Sequence, residues 1–231
     1  TSDGAFELHE LPRSIVIVGG GTIGCEFGSF FRAMGSEVTI VGRRLLPRED
    51  TDLTDALAAS FDRRGIKLAL GRAEGVRQDG KRKYVIAGGQ RAEGEVLMLA
   101  SGRVANTAGL NLEAAGVDTW EKGIKVDEHM RTSAHHIWAA GDVIGQHMYT
   151  HSGDYAAEIA GWNAVHDSHR KTVDWRVHPR PVFSFPEFAA VGLTEEQARQ
   201  GKEEIEVARV KFDEVTKPII DRETDGFVKV I

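Results

Sequence analysis

Three glycines, Gly19, Gly21 and Gly24, stand in G-x-G-x-x-G spacing directly after the apolar run Ser14-Ile15-Val16-Ile17-Val18. In that setting the spacing predicts a seat for the pyrophosphate of a dinucleotide. The first glycine permits a tight turn, the second lets backbone approach the phosphates, and the third lets helix and strand pack closely. A helix opening at Thr22 turns its free N–H groups and partial positive charge toward the same phosphates. Gly20, Thr22 and Ile23 complete the turn and are expected to line the cofactor. About 20 residues further on, an NAD site needs a carboxylate for the ribose hydroxyls, whereas an NADP site drops the acid and brings arginine to the 2′-phosphate. The sequence there reads Val41-Gly42-Arg43-Arg44, with no acid and two guanidiniums able to bond phosphate oxygens. NADP is therefore the expected cofactor ahead of NAD.

These residues need a particular set of elements to hold them. Apolar residues recur at helical spacing from Thr22 to about Met34, Gly35 closes the segment, and a second strand is expected over Val38 to Val41. A βαβ unit of this length implies a parallel sheet. Asp50-Thr51-Asp52 opens the next expected helix, which runs to Arg64 and is closed by Gly65, with Ile66 to Leu70 as a third strand. Residues 72–100 change character. Strand-like pieces at Gly75 to Gln78, Lys83 to Ala87 and Val96 to Ala100, separated by Asp79-Gly80 and Gly88-Gly89, predict an antiparallel meander, with Lys81-Arg82-Lys83 near a hairpin tip. Short strands are expected at Gly123 to Asp127 and Ile137 to Ala140, a glycine turn at Gly141-Asp142, and a helix from about Thr150 to His166. The last segment reads as strands at Val182 to Phe185 and Ala189 to Gly192, a helix near Thr194 to Gln200, and two further strands.

Composition narrows the function classes. The chain has 231 residues, 29 basic against 35 acidic, and a net charge of −6. That balance argues against a nucleic-acid partner, and no apolar run approaches the roughly 18 residues of a membrane span. A cytoplasmic protein is expected. Cys25 is the single cysteine, so no internal disulfide is possible, and its place in the first helix reads as packing. Among nine histidines, His147 and His151 are four apart, but no carboxylate or cysteine joins them at ligand spacing. No metal site is expected. Phe183, Phe185 and Phe188 read as core or subunit-interface residues.

Four motifs in order resemble the flavin-dependent pyridine nucleotide-disulfide oxidoreductases, most of all their dihydrolipoamide dehydrogenase and mercuric reductase branches. They are Leu11-Pro12-Arg13-Ser14 through Phe27, Ser101-Gly102-Arg103-Val104-Ala105-Asn106-Thr107, Thr132-Ser133 through Ile137-Trp138-Ala139-Ala140-Gly141-Asp142, and Val182 through Glu187 with Val191-Gly192-Leu193-Thr194. Arg43 and Leu46-Pro47-Arg48-Glu49-Asp50 resemble the mercuric reductases, while Met148-Tyr149-Thr150-His151 is similar to the flavin-contacting Met-Leu-Ala-His of the lipoamide enzymes.

The resemblance implies FAD as a second cofactor. It implies that Ala73 and Gly102 lie near the nicotinamide nucleotide, and that Gly42, Arg43 and Arg44 surround its adenosine ribose. It implies that Asp142, after Gly141, accepts a hydrogen bond from the flavin ribityl chain, and that Met148, Tyr149, Thr150 and His151 lie against the isoalloxazine ring. Glu26 corresponds to a catalytic glutamate that pairs with a lysine near the flavin's reactive nitrogen. The implied fold is a doubly wound α/β nucleotide-binding domain at 12–100, a flavin-domain segment at 101–170, and the start of an α/β dimerisation domain at 175–231. The implied activity is transfer of a hydride from NAD(P)H to FAD and on to a disulfide or similar acceptor, in a homodimer. With Thr1 at its start and no cysteine pair, the chain is expected to be the middle of a longer protein. The alternatives are a nucleotide-binding or interaction module without turnover, or a flavin reductase of a metal ion or other acceptor.

Overall fold

The computed structural model describes residues 1–80, 82–201 and 204–231. A short helix α1 (Ser2–Phe6) precedes β1 (Ser14–Val18), α2 (Thr22–Ala33), β2 (Glu37–Gly42), α3 (Thr51–Arg63) and β3 (Ile66–Leu70). After these come β4 (Ala73–Asp79), β5 (Arg82–Ala87), β6 (Gln90–Gly94) and β7 (Val96–Leu99). One sheet has the order β3-β2-β1-β7 with every pair parallel. Parallel neighbours cannot be joined by a tight turn, so α2 and α3 serve as crossovers. Both faces of this sheet are covered, which is why β1 reads as an unbroken apolar run. Ile15 and Ile17 pack with Cys25, Phe31, Leu57 and Phe61 on the helical side. Val16 and Val41 face the other way, onto Val85, Ala87 and Ala92.

The antiparallel layer corrects the expected meander. Its three strands are β4, β5 and β6, and the run at 96–100 is not among them. Gly88 and Gly89 both have positive φ, 54° and 76°, which makes a two-residue hairpin whose return strand must begin at once, at Gln90. Val96–Leu99 instead lies parallel to β1 from Ile15 to Val18, where its apolar side chains are needed in the buried sheet. Of the basic run at 81–83, Arg82 and Lys83 begin β5, and Lys81 lies outside the described residues.

The chain divides into two compact units, residues 1–102 with 181–231, and residues 103–180. The second unit holds a two-residue hairpin, β8 (Thr119–Trp120) with β9 (Gly123–Ile124), and the long helix α4 (Thr150–Val165). The strand expected at 137–140 is reduced to one bridge, Arg131 to Trp138. Ile124, Met130, Ile144, Ala156 and Ile159 form the core of this unit.

Returning to the first unit, the chain forms β10 (Arg180–Val182), β11 (Phe188–Ala190), α5 (Glu195–Arg199), β12 (Ala208–Lys211), α6 (Thr216–Asp221) and β13 (Phe227–Val230). Val182 and Phe188 join the core beside α3, whereas Phe183 and Phe185 are exposed. Lys229 fastens the segment to the start of α3. Its ammonium is 2.7 Å from Glu195, 3.1 Å from Asp52 and 3.3 Å from Asp50, with the side chain only 3% exposed.

Candidate functional site

The glycine turn is built where β1 ends. Gly19 has φ of +130°, a conformation that excludes side chains, and a Cβ there would fall 2.1 Å from the Ala100 carbonyl oxygen. A Cβ on Gly24 would fall 1.9 Å from the oxygen of Gly19, so the turn and the first turn of α2 are in contact through bare backbone. Gly21 caps α2 with no side chain bonded to the helix N-terminus. Thr22, Ile23 and the neighbouring N–H groups are thereby left for a ligand, and a pyrophosphate fits both the cradle and the dipole. The next turn of α2 carries Cys25, whose buried thiol is pushed up to about 12 by burial and then by the Glu26 carboxylate. Such a thiol is no nucleophile.

Beside this turn lies the loop that leaves β2 at Gly42. The Leu46 N–H donates to the Gly20 oxygen at 2.7 Å, so loop and turn are interlocked. Arg43 is exposed and makes no hydrogen bond or ion pair among the described residues. Arg44 faces inward, and its guanidinium donates to Thr54 Oγ1 at 2.8 Å, the Glu49 carbonyl at 3.2 Å and Thr51 Oγ1 at 3.3 Å. Ala73 opens β4, half-buried, and Gly102 is exposed just beyond β7 with φ of +148°. In the second turn of α2, Glu26 Oε1 accepts the Phe183 N–H at 3.0 Å, and one turn along Ser29 Oγ accepts that of Phe185 at 3.0 Å. The helix therefore fixes alternate N–H groups of an extended segment.

In the unit of residues 103–180, Gly141 and Asp142 begin a short 3-10 helix, and Arg103 donates to the Asp142 carboxylate. Tyr149 is the N-cap of α4, with no side-chain bond to the helix N-terminus. Met148 and Thr150 flank it. The His151 Nε2 lies 2.9 Å from the Pro179 oxygen; a carbonyl only accepts, so Nε2 is the donor. An uncapped helix N-terminus of 16 residues beside a carboxylate fits a ligand with hydroxyls and a group that gathers negative charge.

One histidine strongly altered by its surroundings is not among those that spacing singled out. His178 is 6% exposed; its Nδ1 is 3.4 Å from Ser152 Oγ and its Nε2 is buried without a partner. Its ring centroid lies 4.5 Å from that of His147 and 5.5 Å from those of His151 and Tyr149. His147 in turn stacks on Trp175 at 4.2 Å. Burial first, then His147, His151 and Arg180, pull His178 down to about 4. Segments 147–152 and 174–180 meet only in the fold, so no local spacing foretold the cluster. Among the described residues no three of His, Cys, Asp and Glu are grouped as metal ligands, and no helix is long and apolar enough to cross a membrane.

This geometry has known counterparts. The model of pyridine nucleotide-disulphide oxidoreductases matches residues 1–164, and that of their dimerisation domain matches residues 178–231. The chain is 33% identical over 234 residues to dihydrolipoyl dehydrogenase of Chlamydia muridarum, covering all of this chain and 50% of that protein. It is 35% identical over 239 residues to mercuric reductase of Bacillus cereus, covering 100% of this chain and 38% of that one. The solved structure of the HOCl-induced flavoprotein disulfide reductase RclA from Escherichia coli superposes with a TM-score of 0.89 at 33% identity, over 99% of this chain and 53% of that one. LpdA from Mycobacterium tuberculosis superposes with a TM-score of 0.86 at 30% identity, over 97% of this chain and 50% of that one. The chain thus spans about half the length of the relatives it matches. Its matched regions and its glycine-cradled α/β fold place it in the pyridine nucleotide-disulphide oxidoreductase family.

Proposed function

We propose that this chain carries the NADPH site and the ribityl-isoalloxazine half of the FAD site of a flavoprotein oxidoreductase that passes electrons to a disulfide or similar acceptor. The observation that carries the reading is the uncapped N-terminus of α2 behind the bare-backbone contact of Gly19 and Gly24, with the unpaired Arg43 on the adjoining loop. Residues 19–24 hold the pyrophosphate by backbone N–H groups. Gly42, Arg43 and Arg44 form the ribose end, where Arg43 meets the 2′-phosphate, and Ala73 and Gly102 border the same nucleotide.

The chemistry that the flavin supplies when bound is acceptance of a hydride from the nicotinamide ring and onward delivery of two electrons. Asp142 accepts a ribityl hydroxyl, oriented by Arg103, and the N-terminus of α4 with residues 148–151 stabilises negative charge on the ring end. Glu26 anchors Phe183 with one oxygen and leaves the other for a lysine supplied from outside these 231 residues. In this reading 12–100 is the nucleotide domain, 101–170 a segment of the flavin domain, and 175–231 part of the interface of a cytoplasmic homodimer. The names of the relatives, dihydrolipoyl dehydrogenase and mercuric reductase, support the same class of reaction.

The test is a calorimetric titration of the chain with NADPH and NADH. NADPH is expected to bind more tightly, and Arg43→Glu is expected to weaken it at least about tenfold while changing NADH little, as loss of a charge-assisted phosphate bond demands. Equal binding of the two nucleotides before and after the substitution refutes the assignment. A nucleotide-binding module without turnover is favoured by the buried, high-pKa Cys25, the one thiol this chain supplies. A flavin absorbance band in the purified protein decides against that second reading.

A further inference from the structure

Two adjacent arginines leave β2, and the fold uses them differently. Arg43 is exposed with no partner among the described residues. Arg44 is half-buried and three of its five N–H donors are engaged: Nη2 donates to Thr54 Oγ1 and to the Glu49 carbonyl, and Nη1 to Thr51 Oγ1. Both lie in the bend that follows β2, where the chain leaves Arg43 in solvent and turns Arg44 toward the first turn of α3. Thr54, 2% exposed, completes its own bonding by donating to the Thr51 carbonyl at 3.1 Å. The brace is thus a closed network with no donor of Thr54 left over.

The network fixes the loop that presents Arg43. Leu46 sits at a φ of 41°, uncommon for a branched side chain, while its N–H holds the Gly20 oxygen. The Arg44 carbonyl itself fills the space where a Cβ on Gly20 would be, 2.5 Å away. At the far end of the loop, Asp50 Oδ1 accepts the Glu195 N–H at 2.9 Å. A strained residue and a close backbone approach persist only where the surroundings over-determine them, and Arg44 supplies three of the bonds that do so here.

We propose that Arg44 is a positioning residue for nucleotide selectivity: by bracing residues 45–54 it holds Arg43 where a 2′-phosphate is met, and it does not itself contact that phosphate. The inference rests on the NADPH reading above and divides the two arginines that the sequence offers together. It also makes a distinction between charge and shape. A phosphate ligand acts through its charge, which lysine keeps, whereas this brace needs the planar fork, which lysine lacks.

The experiment measures affinities of the chain for 2′,5′-ADP and 5′-AMP by calorimetry at two salt concentrations, and their ratio is the readout. Wild type is expected to prefer 2′,5′-ADP; a ratio near one in wild type overturns the NADPH reading itself, before any variant is examined. Arg44→Lys and Thr54→Val are each expected to lower the ratio about three- to tenfold, as loss of bonds to a charged donor implies. Thr54→Val changes no charge and keeps the side-chain volume, so it tests the brace even where Arg44→Ala fails to fold. Combining Thr54→Val with Arg44→Ala should cost no more than Arg44→Ala alone. A Thr54→Val variant with the wild-type ratio, together with an Arg44→Lys variant that retains it, overturns the proposal in favour of direct phosphate contact by Arg44. A loss of salt dependence in Arg44→Ala equal to that in Arg43→Ala does the same.

Discussion

Replacing Lys229 with methionine tests how residues 181–231 are held to the nucleotide half. Lysine and methionine have similar length, so the change removes a charge from a nearly closed site with little change in volume. Three carboxylates are then left facing one another, Asp50, Asp52 and Glu195, which retain 12%, 33% and 21% side-chain exposure. Breaking a fully buried pair by removing one partner costs about 3–5 kcal/mol. Two features reduce that figure here. Solvent reaches the carboxylates, and Arg209 continues to bond Asp52 and Glu195 at 2.8 and 3.1 Å. A loss of about 2–3 kcal/mol follows, equivalent to roughly 5–10 °C in Tm for a chain of this size.

The dependence on pH gives the sharper check. The Lys229 and Arg199 bonds hold Glu195 down at about 2, and Asp52 is also lowered against the burial that opposes it, by Arg209 and Lys229. Carboxylates whose folded values are depressed contribute stability that is present above their unfolded values, near 4, and lost as pH falls through the folded ones. The difference in Tm between wild type and Lys229→Met should therefore be constant from pH 8 to about 5 and shrink below about 4. Thermal melts followed by circular dichroism at pH 7.5, 5 and 3 measure it. A Tm within about 2 °C of wild type at pH 7.5, or a difference that grows in acid, refutes the reasoning.

Two other predictions concern buried groups. His178, drawn down to about 4, stays neutral in the fold while the unfolded chain takes up a proton near 6.5, so the fold loses stability as pH falls from about 6.5 to 4. The loss reaches about 3 kcal/mol at most. His178→Leu should flatten that part of the stability profile, and a ring-proton resonance of His178 that titrates near 6.5 in the native protein would contradict the burial argument. Cys25, with its thiol pushed up to about 12, should react with iodoacetamide at pH 8 on the order of 10³-fold more slowly than a free cysteine, and at the ordinary rate in denaturant. Alkylation of the native protein at the free rate would show the thiol to be accessible.

What the sequence disclosed and what it withheld follow from the range over which each signal acts. The β1-turn-α2-β2 unit was legible because a buried parallel strand leaves an unbroken apolar run, and a turn without room for Cβ atoms leaves glycines at fixed offsets. The assignment of 96–100 to the meander failed because an apolar four-residue run carries no record of its partner. It was the Gly88-Gly89 turn that specified β6, through its two positive φ angles. Helix α6 went unread, since Lys217-Pro218 lacks a helical pattern of its own and only the Val215 to Ile219 backbone bond and the Schellman-like close at Arg222 reveal it. His178, Lys229 and the inward turn of Arg44 share a deeper reason. Each gains its character from groups far off in the chain or from the direction a side chain takes, and neither is encoded in spacing. The Arg43-Arg44 pair makes the case most directly. As residue types they are equal candidates for a phosphate, and only the three acceptors in 49–54 tell them apart. A motif therefore locates a site to within a loop, and the loop's own hydrogen bonds decide which of its residues are left to meet a ligand.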